Sequence, residues 1–134
     1  MAETVLIVED EFLIALEMQE VVNELGHQCV GIADDMESAI SHASETLDVA
    51  LVDVNLADGA TGPQIGRKLC SDYNVEVIFV TANPQQLGDG VEGAIGALEK
   101  PVDVSVLKEV LDYAIKLRRG AAPTPPPRLK VFES

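Results

Sequence analysis

The segment Leu47–Leu56 reads LDVALVDVNL, and it contains the apolar run that decides the fold. Five of the six residues from Val49 to Val54 are apolar, which is typical of a strand covered on both faces in a parallel sheet. Asp53 interrupts the run, and a carboxylate at the end of a buried strand is unfavourable unless something compensates its charge. Taken alone, Asp53 is more typical of a residue that caps the next turn or reaches solvent, because aspartate is common in turns.

Strand and helix patterns alternate along the rest of the chain. Apolar runs at residues 5–8, 29–33, 75–80 and 94–98 predict four further strands. Apolar residues at helical spacing predict helices between them and a last helix from Val104 to about Arg118. The stretch 83–96 predicts only a short, irregular or mobile helix, because four of the nine residues from Gly88 to Gly96 are glycine. Five strands alternating with five helical segments predict a doubly wound α/β fold.

Polar side chains follow four of the predicted strands. In the flavodoxin-like strand order 2-1-3-4-5, the carboxyl ends of these strands border one crevice, where functional groups collect. Glu9 and Asp10, Asp53, Thr81 and Lys100 would then face each other. Each has an ordinary explanation by itself, as a helix N-terminal acid, a turn residue, an N-cap or a surface lysine. Their joint occurrence at successive strand ends favours a functional site.

The residue types at this crevice suit phosphate chemistry. Three carboxylates close together raise each other's pKa unless a cation joins them, and oxygen ligands suit Mg²⁺ better than zinc. Lys100 adds a positive charge, and Thr81 adds a hydrogen-bond donor. Such a set is what phosphoryl transfer to an aspartate requires, since its catalysis consists mostly of positioning and charge neutralisation.

Composition narrows the possible partners and locations. The chain has 134 residues, enough for one domain with a core, and its formal net charge is −14. An acidic surface disfavours direct binding to nucleic acid or to an anionic membrane.

The sequence shows no signal peptide and no apolar run near the ~20 residues of a membrane span, so a cytoplasmic location is expected. Four of the five residues from Pro123 to Pro127 are proline, which predicts an extended or disordered tail, residues 120–134, after a domain at 1–119.

Four short motifs at the strand ends together resemble those of a known family. In chain order they are VLIVEDE at residues 5–11, VDVN at 52–55, VTA at 80–82 and KP at 100–101. They resemble the receiver domains of two-component response regulators, over about Thr4 to Leu117. The resemblance implies a flavodoxin-like, five-stranded parallel sheet in the order 2-1-3-4-5 with helices on both faces. It also implies a cis peptide bond between Lys100 and Pro101.

The resemblance further implies how the acidic residues work. Asp53 would accept a phosphoryl group from a phosphohistidine on a histidine kinase or a histidine phosphotransfer protein. Asp10, Asp53 and the backbone carbonyl of Asn55 would hold Mg²⁺ directly. Glu9 would act mainly through a metal-bound water.

Three other residues would contact the phosphoryl group in the same resemblance. Lys100 would pair with its oxygens, and Thr81 with the backbone N–H of Ala82 would respond to its presence. The family usually places Tyr or Phe three residues before the lysine, whereas this chain has Ala97 there.

Other departures point to a subgroup of the family. Ala57 stands where Pro is common, and the loop 57–62 is one residue longer than usual. Residues 79–84, FVTANP, are similar to the FAT GUY proteobacterial receivers, although the substitute Tyr of that subgroup falls at Pro84. The glycine-rich segment Leu87–Gly96 is therefore the expected moving part, through an order–disorder change.

The expected function is a stand-alone phosphorylation switch, since no helix-turn-helix or enzymatic module fits into residues 120–134. Its output would pass to an unidentified downstream protein, and it is not expected to be an enzyme beyond its own phosphotransfer and autodephosphorylation. One alternative is a pseudo-receiver that binds proteins without phosphate, which the intact strand-end residues disfavour. Another is a hydrolase of the haloacid-dehalogenase type, but those carry Asp-x-Asp after the first strand.

Overall fold

The computed structural model describes residues 2–133. Its elements are β1 (Thr4–Val8), α1 (Phe12–Glu24), β2 (Gln28–Ala33), α2 (Met36–Ser41), β3 (Val49–Val52), α3 (Gly62–Tyr73), β4 (Glu76–Thr81), a 3-10 turn (Pro84–Leu87), β5 (Gly96–Glu99), α4 (Val104–Arg118) and β6 (Lys130–Val131). The strand order is β2-β1-β3-β4-β5-β6. The first five strands are parallel, so the predicted fold class and strand order are confirmed.

Each face of the sheet packs against its own pair of helices. Because successive strand residues point to opposite faces, every central strand contributes to both layers. One layer contains α1, α4 and the strand residues Val5, Ile7, Val49, Leu51, Ile78, Val80 and Leu98. The other contains α2, α3 and the strand residues Leu6, Val8, Ala50, Val52, Val77, Phe79 and Ala97. This double cover explains why the strands read as continuous apolar runs.

Local signals fix several helix ends. The Asp35 side chain accepts a hydrogen bond from the Ser38 N–H at 2.9 Å and caps α2. Asn74 ends α3 in the left-handed conformation, at φ 57°. Helix α3 begins at Gly62, one residue before the proline that predicted its start. Across residues 2–133, none of the helices has both the length and the apolar character needed to cross a bilayer.

The connection between β4 and β5 contains little regular structure. Its only helical element within the described residues is the 3-10 turn Pro84–Leu87, as expected for a glycine-rich stretch with weak helical character. Ala94 and Ile95 precede β5, which begins at Gly96, so the fifth strand is shorter than its sequence pattern predicts.

The sheet has one strand more than the sequence predicts. Lys130 and Val131 form β6, which pairs antiparallel with Ala97 and Gly96 on the open edge of β5. The prolines before it produce an extended chain that returns from the end of α4 to the sheet. The sequence predicts a five-stranded sheet and an extended or disordered tail. The sheet has six strands instead, because part of this tail pairs with the unpaired backbone groups at the edge of β5.

Candidate functional site

Backbone hydrogen bonds place the predicted site residues at one edge of the sheet. The Glu9 N–H donates to the Ala33 carbonyl at 2.8 Å, and the Asp53 N–H donates to the Val8 carbonyl at 2.9 Å. The Lys100 N–H donates to the Thr81 carbonyl at 2.9 Å. The ladders of neighbouring strands thus continue into the site residues. Backbone hydrogen bonds therefore fix these residues to the neighbouring strands.

Three carboxylates meet at this edge. Side-chain oxygens of Glu9, Asp10 and Asp53 all lie within 4.8 Å of one another. Glu9 is 2% exposed and Asp53 8% exposed, whereas Asp10 is open to solvent. Two buried anionic groups at this distance need a counter-charge, which makes the cluster a candidate cation site.

Lys100 supplies part of that charge. Its Nζ atom lies 2.8 Å from Oδ2 of Asp53, contacts Oε1 of Glu9, and lies 3.6 Å from Oε2 of Glu11. Burial lowers the pKa of the Lys100 ammonium, but hydrogen bonds to Asp53 and Glu9 outweigh it and leave that pKa above its ordinary value. The lysine therefore remains charged. The Lys100–Pro101 peptide bond is cis, as the family resemblance implied.

Glu9 is the least favourably placed of the acids. Burial raises the pKa of its carboxyl to about 7, and the charge of Asp53 acts in the same direction. Hydrogen bonds from Lys100 and from the Glu11 N–H oppose this rise. One ammonium group does not balance three carboxylates, so a divalent cation would relieve the repulsion that remains.

The loop after β3 folds back closely against the backbone of Asp53 and Val54. Oδ1 of Asp53 accepts a hydrogen bond from the Val54 N–H at 2.6 Å. The Gly62 N–H donates to the Val54 carbonyl at 3.0 Å. A Cβ atom on Gly62 would lie 1.9 Å from the Asp53 carbonyl oxygen, so only glycine fits at the start of α3.

Thr81 is fully buried at the end of β4. Its hydroxyl oxygen accepts a hydrogen bond from the Asn83 N–H at 3.0 Å. The next residue, Ala82, is exposed. The threonine hydroxyl is thus tied to the start of the β4–β5 connection, and a new partner for this hydroxyl would affect that connection.

The side chain of Asn55 forms a contact that the sequence did not reveal. The Asn55 Nδ2 donates to Oε1 of Gln86 at 2.9 Å, and the Gln86 Nε2 lies 3.4 Å from Oδ1 of Asn55. Gln86 belongs to the 3-10 turn, whose path depends on an irregular, glycine-rich connection. Because no residue spacing encodes that path, Gln86 had no sequence signal. The pair joins the loop after β3 to the β4–β5 connection.

Ala97 stands three residues before Lys100, where the family usually has an aromatic residue, and its surroundings were not predicted from the sequence. Ala97 is 3% exposed and lies in register with Phe79 of β4. The Phe132 ring of the tail packs on the same layer, 6.3 Å from the Phe79 ring. An aromatic residue that is distant in sequence therefore packs in the same layer as this alanine.

The chain is similar to known proteins over most of its length. Residues 5–112 match the response regulator receiver domain family. The chain is 34% identical to the phyllosphere-induced regulator PhyR of Methylorubrum extorquens over 125 residues, which are 90% of this chain and 46% of PhyR. It is 27% identical to the sporulation initiation phosphotransferase F of Bacillus subtilis over 122 residues, 88% of this chain and 98% of that protein. The chain thus spans about half the length of PhyR.

Solved structures give the same result. The receiver domain of Erythrobacter litoralis PhyR, solved by solution NMR, has a TM-score of 0.78 and 31% identity, covering 92% of this chain and 95% of that one. The PhyR response regulator of Brucella abortus has a TM-score of 0.77 and 30% identity, covering 90% and 50%. The sequence match at residues 5–112 includes every strand-end residue of the candidate site.

Proposed function

This chain belongs to the response regulator receiver family, and from that membership we propose that Asp53 accepts a phosphoryl group from a phosphohistidine. The donor is a histidine kinase or a histidine phosphotransfer protein. The observation that carries the proposal is the 2.8 Å contact between Lys100 and Asp53 inside a cluster of three carboxylates. The chain acts as a switch on its own phosphoryl group and turns over no separate substrate.

The proposed reaction is a substitution at phosphorus. An oxygen of the Asp53 carboxylate forms the new P–O bond while the N–P bond of the phosphohistidine breaks, and its electron pair returns to the imidazole. Lys100 offers positive charge close to the acceptor oxygen, where charge on the transferring group needs stabilisation. The hydroxyl of Thr81 and the N–H of Ala82 are the donors proposed to bind the phosphoryl oxygens afterwards.

Magnesium fits the donors present at this site. Asp10 and Asp53 would bind through their carboxylates, Asn55 through its backbone carbonyl, and Glu9 mainly through a water molecule. The oxygen-only donor set and the close approach of the three carboxylates favour a hard cation. When bound, Mg²⁺ would neutralise charge on the phosphoryl group and hold it in line for transfer.

The surface beside the acceptor suits a protein donor. Phe12 and Leu13 at the start of α1 are 66% and 75% exposed, and Val104 at the start of α4 is 52% exposed. An apolar groove of about 370 Å³ lies between these helices and is lined by Met18 and Lys100, among others. Exposed apolar side chains next to a reactive group mark a protein contact. We place the phosphohistidine donor here, and the net charge of −14 argues against nucleic acid or membrane at this surface.

Intact mass measurement tests this function. The protein is incubated with Mg²⁺ and acetyl phosphate, beside Asp53→Asn and the matched control Asp58→Asn, which alters an exposed loop carboxylate outside the cluster. The unaltered protein and the control should each gain one phosphoryl group, and Asp53→Asn should gain none. Equal labelling of all three would place the acceptor elsewhere. No labelling of the unaltered protein would leave a phosphate-independent binding module.

A further inference from the structure

The C-terminal segment lies along the open edge of β5. Within residues 128–132, which we call the C-terminal strap, Lys130 and Val131 pair antiparallel with Ala97 and Gly96. The Phe132 N–H then donates to the Ile95 carbonyl at 2.9 Å. These contacts form an added strand of two residues. Strand addition of this kind is a common way for a sheet edge to bind an extended peptide.

Two glycines allow the strap to approach the edge of β5 closely. A Cβ atom on Gly96 would lie 2.3 Å from the Lys130 carbonyl oxygen. Gly90, at φ 130°, has a conformation that favours glycine, and a Cβ atom there would lie 2.7 Å from Cγ of Phe132. The glycine-rich connection that weakens the helix between β4 and β5 thus leaves room for a backbone and an aromatic ring.

The strap places side chains on both faces of the sheet. Leu129, 6% exposed, packs into the layer of α1 and α4, whereas Phe132 packs into the layer of α2 and α3. Arg128 lines a small recess together with Glu99 and Asp103. The edge therefore matches a basic residue, an aliphatic side chain beside it, and an aromatic side chain three residues after the aliphatic one.

The strap is held in a manner that allows exchange. Its strand contains only two residues, and Val131 within it is 40% exposed. Residues 120–127 connect it to α4, and the prolines of this linker line a surface groove on α4, with Pro126 buried. Release of this short strand would expose the side chains of Leu129 and Phe132, but it would break only the β5–β6 pairing and leave the pairing of β1 to β5 intact.

We propose that the open edge of β5 is a binding surface for an extended, basic, aromatic-bearing segment of a partner protein, and that the strap occupies this surface in cis. Binding of the partner segment replaces the strap by the same antiparallel pairing. Binding at this surface does not require a phosphoryl group on Asp53. A negative result in the peptide-binding test would therefore leave the proposed phosphorylation of Asp53 unaffected, and a negative labelling result would leave this proposal unaffected.

A peptide in trans tests the proposal with the full chain. The probe is a fluorescent peptide that copies residues 126–133, PPRLKVFE, and its binding is followed by fluorescence anisotropy without a phosphodonor. The double variant Leu129→Ala/Phe132→Ala removes the strap's two anchors, and Val131→Ala, at an exposed strap position, is the matched control. The double variant should bind the peptide about tenfold or more tightly than the unaltered chain or the control. A peptide with Ala in place of its Leu and Phe should not bind.

Equal affinity of all three proteins for the peptide, or binding of the Ala-substituted peptide, would overturn the proposal. Hydrogen exchange of the unaltered chain gives a second test that does not depend on a variant folding. The Phe132 amide, which donates to Ile95, should exchange at least about tenfold faster than the amides of β4. Exchange as slow as that of β4 would mean that the strap opens only when the domain unfolds, which would also overturn the proposal.

Discussion

The Nζ atom of Lys100 lies 2.8 Å from Oδ2 of Asp53 and also contacts Glu9, so one cation bridges the two buried acids of the site. Lys100 is held at this point by its own backbone, whose N–H donates to the Thr81 carbonyl at the end of β4. The pairing compensates the charge that made Asp53 an unfavourable end to an apolar strand. It also places an ammonium group next to the proposed acceptor oxygen.

Removal of this ammonium should destabilise the protein when no metal is present. In Lys100→Ala, Glu9 and Asp53 lose their hydrogen-bonded counter-charge, and the free energy of unfolding should fall by about 1–3 kcal/mol in metal-free buffer. Urea denaturation measures this change. Lys68→Ala removes an exposed i,i+4 partner of Asp72 and should cost at most about 0.5 kcal/mol. Mg²⁺ should restore part of the loss in Lys100→Ala, and a variant as stable as the control without metal would contradict this role.

A second ionic contact should make stability depend on acid pH. Burial raises the pKa of Asp48, but hydrogen bonds from the Thr4 N–H and from Arg118, at 2.9 Å each, outweigh it and hold that pKa below its ordinary value. A carboxyl whose pKa is lower in the folded than in the unfolded state stabilises the fold above the unfolded value. That stabilisation is lost as the pH falls through the folded pKa.

Asp48→Asn should therefore be less stable than the unaltered chain by about 1–2 kcal/mol at pH 7, and by a smaller amount near pH 3. Thermal unfolding monitored by circular dichroism across this range measures the difference. Asp72→Asn, which alters a side chain 49% exposed, serves as the control and should show no such trend. An equal loss at both pH values would assign the effect of Asp48 to geometry instead of charge.

Crowding at the start of α3 should slow phosphorylation of the proposed acceptor, Asp53. A Cβ atom on Gly62 would lie 1.9 Å from the Asp53 carbonyl oxygen, and the backbone must shift to accept it. Gly62→Ala should lower the free energy of unfolding by about 1–3 kcal/mol and slow labelling by acetyl phosphate. Gly59→Ala, at φ 112° in open space, introduces backbone strain without a clash and should label normally. Normal labelling of Gly62→Ala would show that the acceptor tolerates displacement of its own backbone.

The positions of the strand-end residues could be predicted from the sequence, because each lies at or near the end of a mostly apolar run, which is a local signal. Glu9, Asp53 and Lys100 come together as soon as the strand order is known. The strap carried no such signal, because two residues after a proline-rich stretch are too few for a strand pattern. Its pairing depends on where the open edge of β5 lies, which is a property of the complete sheet.

The β4–β5 connection should respond to occupation of the site more than α4 does. Gln86 at one end of it bonds to Asn55 at 2.9 Å, and Gly90 further along packs against Phe132 of the strap. A change at the loop after β3 or at Thr81 therefore acts directly on this connection. With Mg²⁺ and beryllofluoride, backbone NMR signals of residues 87–96 should shift more than those of α4.

Gln86→Ala tests whether the amide pair transmits that response. The variant should reduce the beryllofluoride-induced shifts of residues 87–96 while leaving those next to Asp53 unchanged, because it cuts the side-chain link without altering the acceptor. Gln85→Ala is the matched control, since the Gln85 side chain donates a hydrogen bond to Asn83 beside the same turn and does not contact Asn55 within the described residues. Shifts confined to the Asp53 pocket in the unaltered protein would contradict the coupling. Equal effects of the two glutamine variants would mean that the turn matters and the Asn55 contact does not.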